Sequence, residues 1–179
     1  MERMRIPRLC TVLALAALVW AADSAGGLTW KAPDAWKSQG PRMMRAATYT
    51  VPAAAGDKED GEMAVYYFGA GQGGGVEANI KRWLGQFEQP GGGSSEAAAK
   101  RSKRTINGIP VTILDVTGTY MFSPSPMSPQ KTPKPGYRML AAIAEGSEAP
   151  VFFKFTAPAK TVTANEKAFQ TMLDSLKKQ

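Results

Sequence analysis

The sequence predicts an α+β fold, in which a central antiparallel sheet of about six to seven strands is packed by two main helices, as in an α/β/α sandwich. Two observations indicate this class. Short runs of β-branched and aromatic residues lie between glycine and proline turns. Two other segments repeat their apolar residues at the helical period. With 179 residues, the chain is long enough for one domain with its own hydrophobic core.

The N-terminal residues predict a secretory signal peptide over residues 1–24. A basic start, Met1–Arg8, precedes the apolar run Leu9–Ala22 and a small-residue end. The apolar run is shorter than the roughly 20 residues that a spanning helix needs, so we expect no membrane span after cleavage. The pattern predicts export to a periplasmic or extracellular location, and an uncleaved anchor is the alternative.

The sequence indicates the cleavage site less clearly. Cleavage after Ser24 is favoured because it places the small residue Ala22 three residues before the cut. Cleavage after Ala21 or after Ala25 is the alternative. Cys10 lies near the start of the apolar run, whereas a lipid anchor needs a cysteine after it. Lipidation is therefore rejected, and residues 25–179 form the predicted single domain.

Composition excludes several kinds of chemistry from that domain. The chain has no histidine, and its one cysteine, Cys10, lies in the predicted signal peptide. Histidine and cysteine metal sites and Ser-His-Asp or Cys-His catalysis are therefore excluded. The acidic segment Asp57–Glu62 lacks the ligand spacing of a calcium-binding loop, and we interpret it as a solvated turn. We predict no enzyme activity, no cofactor and no metal, with a carboxylate-only enzyme as the least favoured alternative.

The domain begins with a strand at Leu28–Trp30 and a turn at Pro33-Asp34. We expect Trp30 and Trp36 to pack at the edge of the sheet. The alternating segment Met43–Val51 predicts a second strand that ends before Pro52.

The stretch Gly61–Phe87 is the strongest local signal, and we expect the rest of the chain to be built around it. Met63–Phe68 predicts a strand, and residues 69–75 form a glycine-rich loop. The following helix repeats apolar residues on one face before Pro90 ends it. These apolar residues are Val76, Ile80, Trp83, Leu84 and Phe87.

The glycine loop also matches the GxGxxG spacing of dinucleotide-binding sites, at Gly69, Gly71 and Gly74. That site requires an acidic residue about 20 positions later, after a second parallel strand. No such strand or residue follows. We therefore interpret the loop as a flexible connector between strand and helix.

After the helix, residues 91–95 form a Gly/Ser linker, and residues 96–100 continue as a helical turn or the start of a strand. The basic run 100–104 lacks the interleaved aromatic residues of a nucleic-acid platform, so it predicts a charged edge strand and no nucleic-acid partner. Asn107-Gly108 predicts a hairpin into a strand at Ile109–Phe122, with Val111, Ile113 and Val116 inward.

Residues 123–136 contain five prolines and predict an extended insert that cannot join the sheet interior. Tyr137–Ala144 and Val151–Thr156 predict an antiparallel hairpin. A closing helix is expected at roughly Lys160–Lys177, with Thr163 and Glu166 as a capping box and Lys177-Lys178 beside its C-terminal dipole.

The opening WKAPDAW, the order of the elements and the closing Phe169-x-x-Met172-Leu173-x-Ser175-Leu176 resemble the PsbP-like (PsbP/Mog/DcrB) superfamily over about Leu28–Lys178. The resemblance implies a central antiparallel sheet with helices on both faces. It also implies a non-enzymatic interaction module, because the superfamily consists mostly of binding or assembly factors. It transfers no functional residue.

We therefore expect an exported, non-catalytic binding or assembly module whose partner is an unknown protein or envelope component. The alternative is a small-ligand carrier with a pocket between sheet and helix. The candidate ligand or contact residues are Tyr66, Trp83 and Phe87, although the same aromatic side chains would also be expected to fill the core. Oligomeric state is left open.

Overall fold

The structure is a computed structural model that describes residues 23–124 and 128–179. Its main sheet contains eight strands: β3 (Lys37–Ser38), β4 (Arg45–Val51), β5 (Gly61–Tyr66), β6 (Phe87–Glu88), β7 (Lys100–Ile106), β8 (Ile109–Phe122), β9 (Thr132–Glu145) and β10 (Pro150–Pro158). Their order is β3-β4-β5-β10-β9-β8-β6, with β7 also paired to β8, and every pairing is antiparallel. A smaller sheet joins β1 (Asp23–Ala25), β2 (Leu28–Trp30) and β11 (Lys177–Lys178).

Helices cover both faces of the main sheet. These are α1 (Val76–Leu84), the single turn α2 (Ser95–Ala98) and α3 (Ala159–Asp174). One buried cluster holds Phe169, Met172 and Leu173 of α3 against one sheet face, and a second holds Trp83 and Leu84 of α1 against the other. The predicted α+β class is confirmed, with more strands than expected because short strands extend the sheet at its edges.

The proline-rich insert departs from its prediction. Residues 132–136 belong to β9, where Lys134 pairs with Tyr120 of β8. Prolines are tolerated there because β10 reaches only as far as the Pro158–Tyr137 pair, so this part of β9 has a neighbour on one side. The rest of the predicted insert precedes β9, and its residues 125–127 lie outside the described part of the chain.

The C-terminal helix is shorter than predicted. It ends at Asp174, and Lys177–Lys178 pair with β2 as strand β11 instead of flanking the helix dipole. The end is fixed at Ser175, whose hydroxyl donates to the Met172 carbonyl at 2.6 Å and accepts from the Lys31 amide at 2.8 Å. The predicted capping box is also wrong, because Thr163 donates to the carbonyl of Ala159.

The N-terminus of α3 is instead capped from another loop. Asp57 Oδ2 accepts hydrogen bonds from the backbone nitrogen of Thr161 at 2.9 Å and from its hydroxyl at 2.7 Å. A carboxylate at a helix N-terminus satisfies amide groups that lack intrahelical acceptors. The first part of the predicted solvated turn therefore anchors α3.

The segment 91–100 is ordered by short-range bonds. Ser94 Oγ accepts from the amide of Ala97 at 3.3 Å and so caps α2, which realises the helical turn allowed by the sequence. Among the strands of the described residues, β7 pairs with β8 alone, as expected of a charged edge strand.

Candidate functional site

The sheet face beneath α1 carries an unexpected cation at its centre. Lys154 lies in the middle of β10, opposite Ala64 of β5 and Ala141 of β9. Directly paired residues point to the same face, and Ala141 belongs to the cluster under α1. The side chain of Lys154 is therefore directed to the α1 face, and the residue is only 8% exposed.

The ammonium group of Lys154 has neutral hydrogen-bond partners. Its Nζ donates to Gln86 Oε1 at 2.6 Å and to the hydroxyl of Tyr120 at 3.3 Å. It also lies 5.1 Å from the centre of the Tyr120 ring, a cation–π distance. Burial lowers the pKa of Lys154 to about 8. The negative charge of Glu62 opposes this shift in part, and the charges of Arg45 and Arg82 add to it.

Charged groups border this lysine without contacting it. Arg45 lies 2.9 Å from Glu62 and 5.3 Å from the Tyr66 ring centre. Glu62 is thus engaged by Arg45, and in the described part of the chain no carboxylate is bonded to Lys154. On the other side of Ala64, Thr48 is 2% exposed, and its hydroxyl forms no hydrogen bond within the described residues. We call Lys154, Gln86, Tyr120, Arg45, Glu62, Tyr66 and Thr48 the Lys154 cluster.

A row of aromatic rings leads outward from Tyr120 onto the end of the β8–β9 hairpin. The Tyr120 ring centre lies 5.3 Å from that of Phe87, 6.1 Å from Tyr137 and 6.3 Å from Phe122. We call these four residues the aromatic ladder. Burial raises the pKa of Tyr120 to about 12, so its hydroxyl stays protonated and able to donate. Phe122 is 39% exposed, which places an apolar ring at the outer end of the ladder.

Lys134 and Glu59 hold the ladder in place. Lys134 Nζ lies 5.2 Å from the Phe122 ring centre and 5.3 Å from that of Tyr137, and it pairs with Glu59. The Tyr137 hydroxyl donates to the same carboxylate at 2.6 Å. The hydrogen bond from Lys134, followed by that from Tyr137, lowers the pKa of Glu59.

The glycine loop and α1 border a cleft beside the cluster. The cleft has a volume of about 340 Å³ and is lined by Phe68, Gln72, Gly73 and Arg82. Buried Asn79 of α1 holds the loop against the helix, because its side-chain amide nitrogen donates hydrogen bonds to the carbonyl oxygens of Gly73 and Gly75. Gly73 has φ of +95°, and a Cβ there would lie 2.9 Å from Phe152. The positive φ and the close contact with Phe152 both account for a glycine at position 73.

The three candidate contact residues predicted from the sequence lie around this face. Trp83 and Phe87 are each 4% exposed within the cluster under α1, and Trp83 meets Phe152 edge-on at 6.2 Å. Tyr66 is half-buried and stacks on Phe68 at the rim of the cleft. Their role in binding stays a prediction.

Sequence reasoning missed Lys154, although a signal was present. The strand VFFKFT places one lysine inside an otherwise apolar strand at the centre of the sheet. Cations are rarely buried without a specific partner, so such a position is a candidate functional residue.

The remaining charged segments have structural partners. Asp60 accepts a hydrogen bond from the amide of Ala53, Arg101 pairs with Glu77, and Arg104 pairs with Asp174. Within residues 23–124 and 128–179, no three acidic or cysteine side chains come together as a metal site. Among the helices of those same ranges, none has the length and hydropathy to cross a membrane.

Comparison with known proteins supports the fold. The chain is similar to the crystal structure of PA94 from Pseudomonas aeruginosa, a protein of unknown function suggested to be a regulator, with a TM-score of 0.50 and 16% identity over 86% of this chain and 99% of that one. It is also similar to the solution structure of the cyanobacterial PsbP (CyanoP) from Synechocystis sp. PCC 6803, with a TM-score of 0.52 and 12% identity over 96% and 98% of the two chains. No protein-family model matches the sequence, and no curated protein matches it. The chain therefore has a PsbP-like fold, as the sequence predicted.

Proposed function

We propose that this protein is an exported, non-catalytic binding or assembly module that engages a protein or envelope component through the α1 face of its sheet. The Lys154 cluster and the aromatic ladder form the binding surface. The observation that carries the proposal is the buried ammonium of Lys154, which is bonded to two neutral groups. Desolvating an unpaired cation destabilises a fold, so a core selected for stability alone would place an apolar side chain there.

Two further observations support a non-catalytic role. The chain has no histidine, so a histidine general base is excluded, and with it Ser-His-Asp and Cys-His catalysis. Two solved structures that share the fold are named as PsbP and as a suggested regulator, and neither name describes an enzyme. Export is inferred from the basic and apolar N-terminal pattern alone.

The extent of the aromatic ladder favours a protein partner over a small ligand. The ladder runs from a buried ring, Phe87, to an exposed one, Phe122, and aromatic side chains are enriched at the anchors of protein interfaces. The alternative function is a small-ligand carrier. The cleft of about 340 Å³ beside Tyr66 and Phe68 favours it, since small-ligand pockets have volumes of this order.

Site-specific photo-crosslinking in the native host tests the proposal. A photoreactive phenylalanine analogue replaces Phe122 at the outer end of the ladder, and a matched probe replaces exposed Lys167 on α3, on the opposite face. We expect a discrete crosslinked product from position 122, absent from position 167 and weakened by Lys154→Met.

The absence of any product at position 122, or equal products from both positions, would contradict a binding surface on the α1 face. Native mass spectrometry of the purified protein separates the carrier alternative, since a carrier would retain a small bound mass.

A further inference from the structure

We infer that the Lys154 cluster binds a carboxylate, which accepts hydrogen bonds from the ammonium of Lys154 and the hydroxyl of Tyr120. This inference rests on the proposed function, because it names the chemical group recognised at the α1 face. It concerns a single anchoring group, whereas the photo-crosslinking experiment concerns the whole surface. The two can therefore fail separately.

The first argument is a count of donors. A lysine ammonium has three N–H groups, and Gln86 and Tyr120 accept two of them, which leaves one. The Tyr120 oxygen accepts from Lys154, while its own O–H has no acceptor among the described residues. Two donors 3.3 Å apart thus remain free on neighbouring groups, a spacing suited to the two oxygens of one carboxylate.

The second argument is charge. Arg45 is already paired with Glu62, and exposed Arg82 donates to Asn79 at 2.5 Å. Among the described residues, Lys154 is therefore the buried cation without an anion in contact. One monoanion balances one ammonium. A phosphate dianion would bring a second charge and more acceptor oxygens into a site whose free donors are few, at a larger desolvation cost.

The third argument is a second buried polar group. The hydroxyl of Thr48 is buried and makes no hydrogen bond in the described part of the chain. Thr48 of β4 and Lys154 of β10 both pair with Ala64 of the strand between them, β5. Their side chains therefore lie on the same face of the sheet, separated by the small side chain of Ala64. Unpaired buried donors are rare in native proteins, and a ligand is one explanation for them.

The surroundings indicate what the carboxylate is attached to. The cluster contains the rings of Tyr66 and Tyr120, and the Phe87 ring packs against that of Tyr120. Tyr66 also stacks on Phe68, which lines the cleft. Aromatic walls around one charged anchor suit an organic acid with an apolar or aromatic body, either free or at the end of a peptide chain.

Titration followed by ¹H–¹⁵N NMR tests this inference on the mature protein. The probes are benzoate and N-acetylphenylalanine, each compared at constant ionic strength with its uncharged amide. We expect saturable shifts at the amides of Ala64 and Ala141 and at the Gln86 side chain with the acids, and affinity at least about tenfold weaker with the amides. Lys154→Met should reduce affinity for the acids by a similar factor, and Lys167→Met, on the opposite face, should leave it unchanged.

Both acids binding would indicate that a chain terminus is accepted, and benzoate alone would indicate a small free acid; either result supports the inference. Equal binding of acid and amide, or unchanged affinity in Lys154→Met, would overturn it. If Lys154→Met does not fold, the wild-type protein gives the answer at pH 9.5, where Lys154 is largely neutral and acid binding should be lost. A crosslink that persists at position 122 when the acids fail to bind would reject the carboxylate and retain the binding surface.

Discussion

Lys154 Nζ lies 2.6 Å from Gln86 Oε1. This hydrogen bond connects the central strand β10 to the segment directly after α1, which ends at Leu84. Gln86 is fixed from two further directions. Its amide donates to the carbonyl of Trp83 at 3.0 Å, and its own carbonyl accepts from the amide of Met121 at 2.8 Å. The lysine is therefore positioned jointly by β10, the end of α1 and the β8–β9 hairpin, and displacement of any one would alter its surroundings.

The depressed pKa of Lys154 predicts an unusual dependence of stability on pH. Between about pH 8 and its ordinary value of 10.5, the unfolded chain binds a proton at this residue that the folded chain does not. The free energy of unfolding therefore rises with pH across this window, and the cost of the buried charge is present in full below it. At about 1.4 kcal/mol per pKa unit, the rise amounts to at most about 3.5 kcal/mol.

Urea unfolding of the wild type and of Lys154→Met at pH 7, 8 and 9 measures this effect. The comparison is made between variants so that the contributions of groups that titrate in both proteins cancel. We expect Lys154→Met to be the more stable protein at pH 7, with an advantage that shrinks as the pH rises. A constant difference across the range would mean that Lys154 does not titrate in it.

Trp83 should be a major contributor to stability. It is 4% exposed and meets Phe152 edge-on, so Trp83→Ala leaves a cavity between α1 and the sheet. Large core truncations of this kind cost about 3–5 kcal/mol. Lys81→Ala, an exposed change on the same helix, should cost less than about 0.5 kcal/mol in the same denaturant titration. A cost below 1 kcal/mol for Trp83→Ala would place this side chain in a contact role.

The parts of the fold that could be predicted are those set by local patterns. The apolar period of α1 and the turn between β9 and β10 lie within short segments, and both elements occur close to their expected places. The end of α3 and the proline-bearing start of β9 depend on partners distant in sequence. Lys177 pairs with Thr29, and Lys134 is in a strand because β8 extends far enough to meet it.

The candidate site was predictable only in outline. Trp83 and Phe87 lie on the expected sheet–helix face because the apolar period predicted for α1 assigns them to one side, although α1 ends at Leu84 and Phe87 belongs to β6. Tyr66 reaches the same face from β5, where it pairs with Phe152. The group at its centre was not found, since Lys154 reaches Gln86 and Tyr120 across 68 and 34 residues of sequence. No local spacing links residues so far apart, and only the register of the sheet brings them together.

Asp57, which caps the N-terminus of α3, should contribute to stability through both its hydrogen bonds and its charge. Asp57→Ala removes the acceptor of two hydrogen bonds from Thr161, which is fully buried, and should destabilise the protein by about 1–2 kcal/mol. Asp57→Asn keeps an acceptor and removes the charge, so it should retain part of the stability. Thermal unfolding of both, with exposed Lys58→Ala as the matched control, measures the difference. Equal melting temperatures for all three variants would mean that the helix start is held by packing alone.

Strand β1 bears on where the predicted signal peptide is cut. Tyr49 is 1% exposed, and its hydroxyl accepts from Trp30 Nε1 at 3.0 Å and donates to the carboxylate of Asp23. Burial, followed by this bond to Asp23, raises the pKa of Tyr49. Cleavage after Ser24 would remove Asp23 and two of the three residues of β1, and would leave the buried hydroxyl without its acceptor.

A chain that begins at Asp23 or Ala22 should therefore be more stable than one that begins at Ala25. The loss of an acceptor for a buried donor costs about 1–3 kcal/mol, which corresponds to several degrees in melting temperature for a domain of this size. Scanning calorimetry of chains 22–179, 25–179 and 22–179 with Asp23→Ala measures it. The last two should both be less stable than chain 22–179, and chain 25–179 should be the least stable because it also loses the β1–β2 pairs of Asp23 and Ser24. Intact-mass analysis of the protein isolated from its native host then identifies the natural start. We expect the cut after Ala21, since that cut preserves β1. A natural chain that begins at Ala25, together with an unchanged melting temperature for chain 25–179, would show that the hydrogen bond between Tyr49 and Asp23 contributes nothing to stability.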